Sequence, residues 1–138
     1  MNWGMSPHRR EVEALRRRGG EFLEEAREAL QRGHYDLVCF FSEQAVQLYL
    51  KSVLLERLGD YPRLHQIRAL LLELSKEAPF GRLEQFFHDN RARLSSLEDA
   101  YLMARYTTKE YTKDDAEDMV RLAEEAILMV EEAIGIEK

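Results

Sequence analysis

The chain has 138 residues, of which 45% are hydrophobic and 33% are charged, and its formal net charge is −6. This length suits a single domain over residues 1–138, and the balance of apolar and charged residues is typical of a globular chain and not of a disordered one. The negative net charge argues against broad, nonspecific binding of nucleic acid, which needs a basic face. A small basic pocket remains compatible with it.

Cysteine usage and hydropathy bear on the compartment of the chain. Cys39 is its only cysteine and cannot form an internal disulfide, and no signal peptide is recognisable at the start of the sequence. Apolar runs such as 37–41 are far shorter than the roughly 20 residues that a transmembrane helix needs. We therefore expect a cytoplasmic protein in a reducing compartment, with no membrane partner and with Cys39 buried and unreactive.

The spacing of hydrophobic residues predicts helices throughout the chain. No stretch shows the sustained period-two alternation of a strand, and apolar residues recur every three or four positions. The three prolines all fall at predicted helix boundaries: Pro7, Pro62 and Pro79. In chain order, the predicted helices cover residues 7–32, 35–58, 64–76, 82–106 and about 113–134.

The first predicted helix has clear signals at both ends. Ser6-Pro7 provides an N-cap followed by proline in the first turn, and Gly33 is a C′ glycine. The pair Gly19-Gly20 interrupts its apolar stripe and is a candidate bend, because glycine costs about 1 kcal/mol relative to alanine within a helix.

The second predicted helix carries apolar side chains over well over half of its circumference. A helix of this kind lies at the centre of a bundle, or packs one side on the core and another on a partner. Its lysine, Lys51, is expected to reach solvent by snorkelling, with an anion contact in a cleft as the alternative.

The remaining predicted helices are shorter or interrupted. The helix over 82–106 has a candidate break near Asn90. Thr112-Lys113-Asp114-Asp115 resembles a capping box at the start of the last helix, and Gly135 is expected to end that helix. The sequence thus predicts an all-α, up-and-down bundle of four long helices plus one short inserted helix.

Three segments carry a resemblance to a known family. Residues 33–46 combine a Tyr-Asp start, aromatic residues and Gln-Ala-Val, and Leu50-Lys51 follows on the same helix. His65 matches a histidine expected at the start of the next helix, and residues 101–106 contain a tyrosine followed by Arg-Tyr. In this order and spacing, the chain resembles the HEPN domain family over roughly residues 10–134.

The resemblance implies a five-helix fold that is usually dimeric and often encoded beside a minimal nucleotidyltransferase in toxin–antitoxin pairs. Many members are metal-independent endoribonucleases whose motif is an arginine followed, after four to six residues, by a histidine. Arg105 matches the arginine, but no histidine follows it in the chain, and Glu110 stands at the four-residue spacing. A glutamate can act as a base, but it donates a proton near neutral pH only if its pKa is raised. The standard ribonuclease motif is therefore expected to be degraded.

Two other pairs, Arg27 with His34 and Arg82 with His88, have a suitable spacing. Chance alone produces about one such pair in a chain of this composition, so spacing by itself is weak support. Neither pair lies where the family places its motif.

Arg105 is the main candidate for a phosphate site, because a planar guanidinium binds phosphate bidentately. Lys109 follows it in a polar loop, and the start of the last helix adds free N–H groups. The opposing feature is Asp114-Asp115, which can occupy the helix dipole and pair with Arg105. The other candidates for nucleotide or RNA binding are Tyr106, Lys51 and His65.

These observations leave three hypotheses about function. The first is a homodimer that binds a nucleotide or RNA, a nucleotidyltransferase partner, or both, with a degraded ribonuclease motif. The second is an active endoribonuclease toxin that uses Arg105 with an unrecognised base, for which Glu110 is a candidate. The third is a helical interaction scaffold with no small-molecule site. No metal site or cofactor is predicted.

Overall fold

The structure, a computed structural model, describes residues 4–137, with side chains described as far as residue 135. This part of the chain forms six helices and no strand, which confirms the predicted all-α bundle. The fourth predicted helix is divided in two at Asn90. The helices are α1 (Pro7–Arg32), α2 (Tyr35–Leu58), α3 (Ile67–Ser75), α4 (Arg82–Asp89), α5 (Arg91–Tyr106) and α6 (Lys113–Glu137).

Local chemistry sets the ends of the long helices. Thr112 and Asp115 exchange side-chain-to-backbone hydrogen bonds of 2.9 and 3.1 Å, which is the predicted capping box of α6. Gly33 and Gly59 follow α1 and α2 with φ values of 77° and 82°. Glycine adopts this left-handed conformation at little cost because it has no Cβ, so both helices end there.

α2 is the central helix and contacts α1, α3, α5 and α6. Val46, Leu50 and Val53 are among its fully buried side chains. Of the two expectations for this apolar helix, the central position is therefore confirmed. Cys39 is buried in the same core, as predicted, and burial raises the pKa of its thiol to about 12.

The Gly19-Gly20 pair does not break α1, which continues through both residues. A Cβ at Gly19 would lie 3.1 Å from the carbonyl oxygen of Ala45 and 3.2 Å from the amide nitrogen of Tyr49. Gly19 therefore serves close packing of α1 on α2. A Cβ at Gly20 would meet no described atom within 4 Å.

Two predicted boundaries were wrong. The third helix begins at Ile67 and not at Leu64, because the carbonyl of His65 accepts a hydrogen bond from the Gln47 side chain at 3.2 Å and does not join the helix. Gly135 does not end α6, which runs to Glu137. A glycine within a helix costs only about 1 kcal/mol, and this one lacks the positive φ of a C′ residue. No described helix is both long and apolar enough to cross a membrane.

Candidate functional site

Three polar side chains form a row along one side of the apolar helix α2. Glu43, Gln47 and Lys51 are spaced four residues apart, so they lie above one another on one helix face, and their exposed fractions are only 0%, 4% and 8%. Gln47 Nε2 donates to Glu43 Oε2 at 2.6 Å, and Lys51 Nζ donates to Gln47 Oε1 at 2.9 Å. We refer to these three residues as the α2 ladder.

The carboxyl group of Glu43 is the buried end of the α2 ladder. Burial raises its pKa to about 7, the charge of Glu98 adds to this, and the hydrogen bonds from Gln44 and Gln47 and the charge of Lys51 act in the opposite direction. The second carboxyl oxygen accepts the 2.7 Å hydrogen bond from Gln44. The α2 ladder therefore ends in a group that exchanges its proton near neutral pH.

The expectation that Lys51 reaches solvent is wrong. Its Nζ donates a hydrogen bond to Gln47 and lies 5.6 Å from the centroid of the Tyr61 ring. The guanidinium carbon of Arg63 lies 4.4 Å from the same centroid. Burial, and then the charge of Arg63, lower the pKa of Lys51, while the charge of Glu43 raises it. Among the described residues no carboxylate forms an ion pair with this ammonium, which favours the alternative of an anion contact.

His65 connects the α2 ladder to α5. It lies in the segment between α2 and α3, and its Nδ1 is 3.2 Å from Gln47 Oε1. Its exposed imidazole is almost parallel to the ring of Tyr101, with an interplanar angle of 3° and centroids 6.1 Å apart. The histidine predicted from the sequence thus touches both helices that carry the family resemblance.

Tyr101 is the centre of an exposed aromatic and basic surface. Its ring lies against Phe40 with centroids 6.1 Å apart, and its hydroxyl accepts a 2.9 Å hydrogen bond from Arg105 Nη1. The guanidinium carbon of Arg105 is 5.3 Å from the centroid of the Tyr101 ring and 5.6 Å from that of Tyr106. We define the Tyr101 surface as Phe40, His65, Tyr101, Arg105 and Tyr106.

Lys109 lies in a different environment. It lines a cleft of about 400 Å³ between α5 and α6, where its Nζ is 5.2 Å from the centroid of the Tyr111 ring. The arginine of that cleft, Arg93, is already bound to Asp118 at 2.8 Å. Four aspartates line the cleft: Asp99, Asp114, Asp115 and Asp118. Within residues 4–137, no group of three or more acidic, histidine or cysteine side chains is placed to hold a metal ion.

Glu110 is also separated from Arg105. It lines an open cleft of about 460 Å³ with His34 and Tyr35, at the start of α2. Asp36 holds the loop there, since its Oδ1 accepts a hydrogen bond from the Tyr111 amide at 2.7 Å. No described contact joins Glu110 to Arg105, so the structure gives this pair no shared site.

The geometry of α5 explains the separation of Arg105 from Lys109. Asp99 and Met103 line the Lys109 cleft, whereas Tyr101 and Arg105 belong to the Tyr101 surface. Residues two positions apart on a helix project about 200° from each other, because each residue turns about 100°. Of the predicted site residues, the structure therefore joins Arg105, Tyr106, His65 and, through Gln47, Lys51, and leaves Lys109 and Glu110 outside.

Glu43 and Gln47 were missed by the sequence-based prediction. The available signal was a polar residue at every fourth position of a largely apolar helix: Glu43, Gln47 and Lys51. Such a row indicates a shared buried network. Neither alternative arginine–histidine pair forms a site of this kind, since Arg27 binds Glu124 at 2.7 Å and His88 lies 4.0 Å from Glu84.

Comparison with known proteins identifies the family. The family model of the HEPN domain matches residues 12–133. This chain is a member of the HEPN domain family. The crystal structure of ST0689, an archaeal HEPN homologue, is similar to this HEPN domain with a TM-score of 0.64 and 28% sequence identity, over 87% of this chain and 94% of that one. None of the curated proteins matches this HEPN chain significantly.

The matched range includes the α2 ladder and the Tyr101 surface, so both belong to the HEPN domain itself. The resemblance predicted from residues 33–51, His65 and residues 101–106 is confirmed.

Proposed function

We propose that this HEPN protein binds a nucleotide, free or as a unit of single-stranded RNA, on the Tyr101 surface. The observation that carries the proposal is Arg105, an exposed guanidinium that lies between two tyrosine rings and has no carboxylate partner among the described residues. A guanidinium of this kind offers two parallel N–H groups to a phosphate, and neighbouring rings can stack on a base.

Local charge supports an anionic ligand at this place, although the whole chain is acidic. Lys51 and Arg105 lack carboxylate partners within the described part of the chain. Of the acids on this side of the bundle, Glu98 already accepts two hydrogen bonds from Arg68, and Glu43 has its pKa raised to about 7. The surrounding field is therefore more positive than the net charge indicates.

We expect binding without efficient cleavage of RNA. No histidine follows Arg105 in the chain, and Glu110, at the spacing of the family motif, lines a different cleft. Loss of a general acid or base typically reduces a reaction rate about 10²–10⁴-fold. These observations support a degraded ribonuclease motif.

Titration of a labelled single-stranded RNA, followed by fluorescence anisotropy, tests the proposal. Arg105→Ala should weaken binding about tenfold or more, because a hydrogen bond to a charged group contributes about 1.5–3 kcal/mol. Arg17→Ala, which removes an exposed arginine of α1, is the matched control and should change affinity less than about twofold.

Equal affinity of the wild type and Arg105→Ala, or no binding by either, would remove the proposed site and favour the interaction scaffold. The integrity of the RNA should be checked in the same samples without added metal. Cleavage that is lost in Arg105→Ala would instead favour the endoribonuclease hypothesis.

We also propose that the protein is a homodimer. Helices of the same chain cover most of the apolar surface of α2, but Leu37 near its start stays exposed. The support comes from exposed apolar residues beside the contact of Phe40 with Tyr101, namely Leu37 and Leu102, whose exposed fractions are 44% and 54%. Light scattering should show a dimer that Leu102→Asp dissociates, and a monomeric wild type would contradict the proposal.

The family resemblance supports one further part of the proposed function, a nucleotidyltransferase partner in a toxin–antitoxin-type pair. Co-expression with the product of a neighbouring nucleotidyltransferase gene, followed by size-exclusion chromatography, tests it. Co-elution of the two chains is expected. Separate elution at micromolar concentration would contradict this part and leave nucleotide binding unaffected.

A further inference from the structure

The side-chain amide of Gln47 has four polar contacts. Its Nε2 donates to Glu43 Oε2 at 2.6 Å and to the carbonyl oxygen of His65 at 3.2 Å. Its Oε1 accepts from Lys51 Nζ at 2.9 Å and lies 3.2 Å from His65 Nδ1. An amide offers two N–H donors and two acceptor sites, so every position of this buried group is used.

Lys51 decides which way this amide points. An ammonium carries three donors and no lone pair, so the Gln47 atom 2.9 Å from Nζ must be the oxygen. The amide nitrogen then faces a carboxyl oxygen of Glu43 and the main-chain carbonyl of His65, which both accept. The orientation of Gln47 follows from the chemistry of its neighbours.

The orientation of Gln47 in turn sets the tautomer of His65. Because Gln47 presents its oxygen, the Nδ1 atom 3.2 Å away has to carry the hydrogen. In the neutral imidazole the other nitrogen, Nε2, is then an acceptor. Nδ1 faces the buried Gln47 and the His65 side chain is exposed, so Nε2 lies on the outer edge of the ring, beside Tyr101. Among the described residues, none forms a hydrogen bond or an ion pair with this nitrogen.

We infer that the α2 ladder holds His65 as the Nδ1–H tautomer so that Nε2 accepts a hydrogen bond from a ligand hydroxyl beside the phosphate bound by Arg105. Within a nucleic-acid strand, the group that places a donating hydroxyl next to a phosphate is ribose, through its 2′-hydroxyl. His65 is thus a specificity-determining residue that favours a ribonucleotide over a deoxyribonucleotide, and Gln47 is its positioning residue. The ligand half of this inference, recognition of a hydroxyl by Nε2, rests on the proposed function. The tautomer half, the Nδ1–H form of His65, rests on the α2 ladder alone.

Long-range ¹H–¹⁵N spectra of the imidazole groups test the tautomer in the ligand-free protein at pH 8, where imidazole side chains are largely neutral. His65 should show the Nδ1–H pattern, whereas the exposed His88 is the internal control and should show the Nε2–H form that free histidine prefers. Gln47→Met should return His65 to that form. An Nε2–H pattern for His65 in the wild type would overturn the inference, whether or not the variant folds.

Binding of two single strands of equal length and sequence, one with ribose and one with deoxyribose, tests the ligand half. The wild type should bind the ribose strand about fivefold more tightly, the contribution of one neutral hydrogen bond. His65→Asn keeps a donor at the Nδ1 position but has no atom at Nε2, so it should lose the preference. His65→Gln places an amide oxygen near Nε2 and should keep part of it.

An unchanged ribose preference in His65→Asn would overturn the role of His65 as the acceptor. If neither strand binds the wild type, the proposed function fails together with the ligand half of the inference. The tautomer measurement would still decide the other half, so the two failures are distinguishable.

Discussion

The two sides of α5 each carry basic residues, but the acidic side chains around those residues differ. On the Lys109 side, Arg93 binds Asp118 and three more aspartates line the same cleft. On the Tyr101 surface, Arg105 contacts a hydroxyl and two rings, and no described carboxylate pairs with it. Because of this difference, the proposed phosphate site is the Tyr101 surface and not the Lys109 cleft.

One carboxyl group on each side has a shifted pKa, and the two shifts have opposite signs. Burial raises the pKa of Glu43 in the α2 ladder to about 7. The pKa of Asp115, at the start of α6, is lowered chiefly by its hydrogen bonds with Thr112. The two sides of the bundle should therefore respond to pH with opposite signs.

The largest effect is expected for Glu43→Gln. The folded-state pKa of Glu43 lies above the ordinary value of 4.5, so the folded protein binds more protons than the unfolded chain between about pH 4.5 and 7. The stability contributed by this group is present below that range and is lost as the pH rises through it. The loss is on the order of 3 kcal/mol, because a shift of one pKa unit corresponds to about 1.36 kcal/mol. Urea denaturation at pH 5 and at pH 8 gives the free energy of unfolding at each pH. The decrease from pH 5 to pH 8 should be smaller for Glu43→Gln than for the wild type.

Asp115→Asn is the control with the opposite sign. A lowered carboxyl pKa contributes stability above the ordinary value of 3.8, and this is lost as the pH falls through the folded-state value. The variant should be less stable than the wild type at neutral pH and approach it in acid. Parallel pH profiles for the wild type and Glu43→Gln would contradict the assignment of the buried proton to the α2 ladder.

A matched pair of lysine substitutions should give the next largest effect. Lys51→Met and Lys109→Met each remove one charge and keep most of the side-chain volume, on opposite sides of α5. Lys51→Met should weaken the binding of single-stranded RNA about tenfold, or about 1.4 kcal/mol, because it removes a partly desolvated cation. Lys109→Met should have little effect, since four aspartates line the same cleft as that lysine. Anisotropy titrations measure both, and a larger loss for Lys109→Met would reverse the comparison.

The smallest effect concerns the stability of two arginine variants. Arg93 donates to Asp118 at 3.1 and 2.8 Å and to Asn90 at 2.7 Å, so Arg93→Ala should lower the free energy of unfolding by about 1 kcal/mol. Arg105→Ala removes only exposed contacts with Tyr101 and Tyr106, and it should change the free energy of unfolding by less than about 0.5 kcal/mol. Urea denaturation of both variants provides the measurement. A larger loss for Arg105→Ala would indicate that this arginine is structural.

The fold was predictable because its signals are local. Ser6-Pro7 and Gly33 mark the ends of α1, Thr112 with Asp115 caps α6, and the helical spacing of apolar residues lies between them. The start of α3 was not predictable in this way. It depends on the hydrogen bond between the His65 carbonyl and Gln47, which are far apart in sequence.

The candidate site was predictable only in part. Arg105, Tyr106 and His65 were found from sequence order and do lie together with Tyr101. Lys109 was grouped with Arg105 because the two are close in the chain, but the end of a helix can direct nearby residues to opposite sides. The roles of Gln47 and Lys51 depend on burial, which a single sequence does not show.

Mapping of RNA contacts by chemical shift tests the central claim, nucleotide binding on the Tyr101 surface, most directly. An isotopically labelled protein is titrated with short single-stranded RNA, and backbone amide, imidazole and glutamine side-chain signals are followed together. The largest changes should fall on His65, Tyr101 and the Gln47 side-chain amide. The claim would be contradicted if the largest chemical-shift changes fell on Lys109 and the first turn of α6 while the signals of the Tyr101 surface stayed unchanged.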